Sequence, residues 1–121
     1  MALRHPKPTA EQNAGRLVRR AAQILEDRGW IQGDVGDGQR GMCARGAIIF
    51  AARGTTNTEA IDNQVWLTER EFTRWLAGTE VGSESTAWRA VPMWNDTPGR
   101  TKEEVVQYMR KFADEVDPRL K

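Results

Sequence analysis

Few residues in this 121-residue chain are of the types that do chemistry, and their spacing decides what they could do. Cys43 stands where the pattern opens a helix, a position that can lower a thiol pKa. A nucleophilic thiolate also needs a base, and the one histidine, His5, lies in an N-terminal stretch interrupted by Pro6 and Pro8. Cys43 therefore reads as a small buried residue packed beneath other helices. Asn95-Asp96 is a polar pair that could serve a binding or catalytic site. Its expected role is structural: the side chains bond amides of their own turn and position the following helix, with Arg100 pairing Asp96. Glu103 and Glu104 are candidate partners in hydrolysis, but they occupy the first turn of a helix, where negative charge favours the dipole anyway.

Residues 29–41 hold five glycines in thirteen positions. They lack the G-x-x-x-x-G-K-[ST] spacing of a phosphate loop and follow a helix rather than a strand. Asp34 and Asp37 miss the alternating acidic pattern of a calcium loop. Gln32, between Trp30 and the glycines, is expected to bond loop backbone. One Cys and one His make a zinc site within the chain untenable, so neither metal nor cofactor is expected. Arg16, Arg19 and Arg20 could touch phosphates, and equally form a solvated outer face of a first helix.

The elements that must position these residues are helical. Thr9-Ala10-Glu11-Gln12 is a capping box, and Ala14, Leu17, Ala21, Ile24 and Leu25 recur at helical spacing until Gly29, predicting a helix over 10–28. Arg16, Arg19, Arg20 and Gln23 should then point away from the core. A loop follows, with a turn at Asp37-Gly38. The next helix, about 42–53, is rich in small residues, Gly46 among them; this suggests close approach of another backbone and a central place in the fold. Over 58–77, Ile61, Val65, Phe72, Trp75 and Leu76 keep helical spacing. Thr68-Glu69-Arg70-Glu71 looks like a second capping box, which favours two helices broken between 66 and 69. A short helix is expected over 84–91, stopped by Pro92. Trp94-Asn95-Asp96-Thr97-Pro98-Gly99 specifies a tight turn, and Thr101-Lys102-Glu103-Glu104 opens a last helix over 102–115, buried through Val105, Tyr108 or Met109, and Phe112.

The sum is an all-α single domain, 9–117, of four to five short helices around a Trp-rich core, preceded by a tail over 1–8. Hydrophobic residues at 39% and charged residues at 29% suit one globular core. Five tryptophans are many for this length and could fill much of it. Net charge is +1, against a strongly basic nucleic-acid binder, although residues 1–53 carry nine cations to five acids and residues 54–121 nine to twelve. The single Cys excludes an internal disulfide and fits a reducing cytoplasm; no apolar run approaches the roughly 18 residues of a membrane span, and no signal peptide is seen.

Arg28-Gly29-Trp30-Ile31-Gln32-Gly33, Cys43-Ala44-Arg45-Gly46-Ala47 and the run Trp94-Asn95-Asp96-Thr97-Pro98-Gly99-Arg100-Thr101-Lys102-Glu103-Glu104-Val105 together resemble domain-of-unknown-function family 6197. The resemblance implies a cytoplasmic protein of actinobacteria or their bacteriophages and transfers no catalytic residue. The expected function is that of a small non-enzymatic accessory protein, phage or prophage encoded, that binds a host or self protein. Trp66, Trp75 and Trp88, in the stretch without resemblance, are the candidate anchors of such an interface if exposed. The alternatives are a DNA-binding regulator using Arg16, Arg19 and Arg20 on the first helix, and an enzyme using Cys43 or Asp96.

Overall fold

The computed structural model describes residues 7–80, 82 and 89–117. Helix α1 (Ala10–Arg28) begins at the Thr9–Gln12 capping box, where each side chain bonds the other's backbone N–H at 3.0 Å, and ends at Gly29 with φ +103°. Two-residue strands β1 (Gly36–Asp37) and β2 (Gly41–Met42) pair antiparallel within the glycine loop, Gly36 opposite Met42. The hairpin tip is held by Asp37, whose Oδ1 accepts the backbone N–H groups of Gln39 and Arg40 at 2.8 and 2.7 Å. Helices α2 (Ala44–Arg53), α3 (Asn63–Ala77), α4 (Ala90–Asn95) and α5 (Lys102–Val116) follow, with a 3₁₀ turn at Thr58–Ala60 before α3. The all-α reading holds, with the small hairpin added.

Helix α1 packs against α2, α3 and α5 and is the hub; the small residues of α2 had pointed to α2 in that role. Close approach at Gly46 is nevertheless real. A Cβ there would collide with the carbonyl oxygen of Val35, so the glycine loop lies directly on α2. Gly15 does the same for α1 and α5: a Cβ would come within 2.6 Å of Val116 Cγ2.

The expected break in residues 58–77 falls earlier in the chain. Asp62 caps α3, accepting from Val65 N at 3.2 Å, and the helix then runs unbroken through Thr68. Thr68 forms no capping box; its hydroxyl donates to the carbonyl of Gln64 one turn back at 2.7 Å, which a continuous helix allows. Pro92 also acts otherwise than expected. It sits in the first turn of α4, where the N–H it lacks would have no intrahelical acceptor, so it starts this helix rather than stopping one. Residues 84–88 of the predicted helix over 84–91, and residues 1–6 of the tail, lie outside the described residues. At α5 half of the capping box forms: Thr101 Oγ1 accepts from Glu104 N at 3.1 Å, while the Glu104 carboxylate pairs with Arg100.

The core is aliphatic at its periphery and aromatic at its middle. Phe72 meets Trp94 edge-on at 5.5 Å and Phe112 at 5.2 Å, and half-buried Trp75 closes the cluster against Phe112 and Tyr108. On α5 the buried face runs through Val105, Val106, Met109, Phe112 and Ala113, so Met109 takes the place left open between it and Tyr108.

Candidate functional site

The polar centre of the molecule is Asn95, at the end of α4, with no exposed surface. Its Oδ1 accepts from Trp30 Nε1 at 2.6 Å and from the backbone N–H of Ala44 at 2.9 Å. Its Nδ2 donates to the carbonyl of Ile31 at 3.1 Å and to Asp96 Oδ1 at 2.9 Å. A primary amide offers two lone pairs and two protons, and all four are used. Asp96 Oδ1 also accepts from Gly33 N at 3.0 Å, and Gln32 Nε2 donates to the carbonyls of Asn95 and Thr97 at 3.0 and 3.1 Å. Gln32 thus bonds backbone, but at the end of α4 and the turn after it rather than within its own glycine loop. Asn95 and Asp96 are structural too, but across the fold: they fasten the glycine loop and the start of α2 to the end of α4 rather than bracing their own turn.

The start of α2 explains this. Cys43 is its N-cap, and the sulfur accepts from Gly46 N at 3.3 Å. A helix N-terminus leaves its first N–H groups without backbone partners, and sulfur is a weak acceptor beside the oxygens of Ser, Thr, Asp or Asn. Asn95 supplies the missing oxygen to Ala44 from outside the helix. Burial pushes the Cys43 thiol above its ordinary pKa, outweighing the backbone N–H groups of Gly46 and Arg45 that favour its thiolate. A 4% exposed, neutral thiol bonded to its own helix is placed for packing, not attack.

Arg100 does not pair with Asp96. Its Nε donates to the Trp94 carbonyl at 2.9 Å, its guanidinium lies 5.2 Å from the Trp94 ring centroid, and its charge meets Glu104 one turn into α5. The geometry follows from Asp96 being drawn toward Gly33, on the other side of the turn.

The three arginines of α1 divide. Arg16 is exposed and bonds Asn13 at 3.1 Å. Arg19, expected to point outward, is half-buried against α5, bridging Asp114 at 2.8 Å and reaching the Asp117 carbonyl. Arg20 is exposed but donates to the carbonyl of Ala51 near the end of α2 at 3.3 Å.

Among the candidate tryptophans, Trp88 lies outside the described residues and Trp75 is drawn into the aromatic cluster, its Nε1 bonded to Glu115. Trp66 is different: it is 56% exposed on α3, beside Leu67 at 39%. Leu67, Gln64 and Thr68 form one wall of a groove of about 360 Å³ whose other wall is Ala10, Asn13 and Ala14 of α1. The sequence pattern held a clue. The buried set Val65, Phe72 and Leu76 leaves Leu67 on the opposite side of the helix and Trp66 on its flank.

Sequence reasoning missed the Arg45–Glu69 pair, 2.7 Å apart and with side chains 14% and 7% exposed, which joins α2 to α3. Burial raises the Glu69 pKa, against the pull of Arg45. No motif marks such a pair, since its members are 24 positions apart. Among the described residues no three His, Cys, Asp or Glu side chains are grouped to hold a metal ion, and no helix is long and apolar enough to cross a membrane.

Fold and site together define a small helical-bundle domain pinned by a buried asparagine and carrying an exposed tryptophan, Trp66, on α3. The chain matches the family of unknown function DUF6197 over residues 9–115 and belongs to it. No curated protein and no solved structure matches it.

Proposed function

We infer that this is a non-enzymatic accessory protein that works by binding another protein, with Trp66 as the anchor. The observation that carries the reading is the 56% exposure of Trp66 on a helix whose other large aromatics, Phe72 and Trp75, are turned inward. An indole left in water is costly to keep, and tryptophan is enriched among residues that dominate binding energy at interfaces. Leu67 and the groove beside it give the same helix face a second apolar edge, separate from Trp66. The polar groups with catalytic chemistry, Cys43, Asn95 and Asp96, are engaged in holding the glycine loop, α2 and α4 together. A cytoplasmic setting is supported by the single buried thiol, and a phage or prophage origin by the family resemblance.

The test is parallel affinity purification from host cytoplasm with the wild-type chain and Trp66→Ala. A protein retained by the first and lost by the second is the expected result. Identical retention by both, or nothing retained by either, overturns the reading.

A further inference from the structure

On α3 the rotation of ~100° per residue places Trp66, Arg70, Asn63, Arg74 and Leu67 within an arc of roughly 100°, so one stripe carries an aromatic edge, an aliphatic edge and two cations between them. Arg70 and Arg74 are 45% and 66% exposed, and both lie 3.4 Å from a single acid, Glu71, whose side chain is turned inward at 10%. The acids nearest the stripe lie off it: Glu69 pairs with Arg45 beneath the helix, Asp62 with Arg53, and Glu80 and Glu115, which share a hollow with Arg74 and Lys111, accept from Tyr108 and Trp75. The stripe is therefore positive as well as apolar, in a chain of net charge +1. The groove between Leu67 and Ala10, Ala14 opens at its edge.

We propose that this face receives an acidic amphipathic helix of the partner protein, with an apolar side chain seated in the groove against Leu67 and carboxylates on Arg70 and Arg74. The proposal rests on the protein-binding reading and names the chemistry of the partner. Charge complementarity selects acid over base. The groove selects protein over nucleic acid, because Ala10, Ala14 and Leu67, with Asn13, Gln64 and Thr68 around them, present a mainly apolar surface that an aliphatic side chain fills, and a nucleic acid has none to offer.

The probes are fluorescein-labelled designed helical peptides with leucines at i, i+3, i+4 and i+7. One carries Glu at its remaining positions and one carries Lys; a single-stranded oligonucleotide serves as third probe. Binding is read by anisotropy. The acidic peptide is expected to bind, to be lost with Leu67→Glu, and to weaken about tenfold or more with the double variant R70E/R74E and on raising the salt. The lysine peptide should bind better to that double variant than to wild type. Absence of acidic-peptide binding, indifference to R70E/R74E, preference for the oligonucleotide, or self-association of the chain abolished by Leu67→Glu overturns the proposal. Circular dichroism of each variant confirms that it folds. A host protein captured through Trp66 yet insensitive to R70E/R74E removes the acidic partner alone and leaves the protein-binding reading intact.

Discussion

The side-chain oxygen of Asn95 accepts the backbone N–H of Ala44 at 2.9 Å, across 51 positions of sequence, and so caps a helix to which it does not belong. The same oxygen holds the indole of Trp30. Removing it strands the buried N–H of Ala44 and the indole N–H of half-buried Trp30, and a buried donor without a partner costs about 1–3 kcal/mol. Asn95→Ala is predicted to lower stability by about 3 kcal/mol or more in urea unfolding. A loss below about 1 kcal/mol would mean that water replaces the amide and that Asn95 does not hold the junction.

Two tryptophans should respond in opposite ways. Trp94 is 2% exposed at the aromatic centre, and Trp94→Ala is predicted to cost about 3–5 kcal/mol. Trp66→Ala should stay within about 0.5 kcal/mol of wild type, as exposed positions do. Equal losses in thermal or urea unfolding would show that Trp66 holds the fold together and would remove it as a free anchor.

The Arg45–Glu69 pair predicts a non-additive cycle. Glu69→Gln takes the carboxylate from a guanidinium whose side chain is 14% exposed, and breaking such a pair costs about 3 kcal/mol. Replacing both, by Arg45→Met and Glu69→Leu, should cost less than the two single changes summed. Additive losses would show that the pair does not act as a unit.

Acid sensitivity should centre on the hairpin tip. Backbone N–H groups of Arg40 and Gln39, and the Arg40 guanidinium, lower the Asp37 pKa to about 2. A carboxyl depressed in the folded state contributes stability that is present above its unfolded value and lost as pH falls through the folded one. The contribution of Asp37 should therefore fade between about pH 4 and pH 2. The NMR titration of its carboxyl carbon should show a midpoint near the lower limit, and Asp37→Asn should unfold with a shallower acid dependence. A midpoint near the ordinary aspartate value contradicts the bonded tip.

Cys43 should be silent to thiol reagents in the native state and react at the rate of an unfolded peptide once urea is added, because burial both covers it and favours its neutral form. The sign for stability follows from the raised pKa. The folded chain holds a proton that the unfolded chain releases, so this group's contribution declines as pH rises above the ordinary thiol value of about 8.5. Rapid native labelling would return Cys43 to the set of candidate nucleophiles.

Local chemistry was legible in the sequence wherever the residues that interact are near one another in the chain. The Thr9–Gln12 box, the Gly29 stop, the Asp37 turn and the helical face of α5 are all matters of three or four positions, and each lies where its pattern put it. Thr68-Glu69-Arg70-Glu71 is ambiguous because a capping box and the middle of a helix share letters; burial of Thr68 and Glu69 on the inner face of α3 decides the matter, and burial is a property of the partner surface. Asp62, the real cap, was passed over because the residues after it carry no Glu or Gln at the third position. The roles of Asn95 and Arg19 depend on segments 51 to 98 positions away, and that of Arg100 on which side of a turn its neighbour is drawn to; no spacing rule encodes either.

The remote cap on α2 also constrains how the chain acquires its shape. Emerging from a ribosome, residues 44–53 can close their first turn through Cys43, but the N–H of Ala44 has only water as a partner until Asn95 has been synthesised, so the start of α2 gains its last fastening from the carboxy-terminal third. Two complementary fragments divided between α3 and α4 should therefore regain full structure only when mixed.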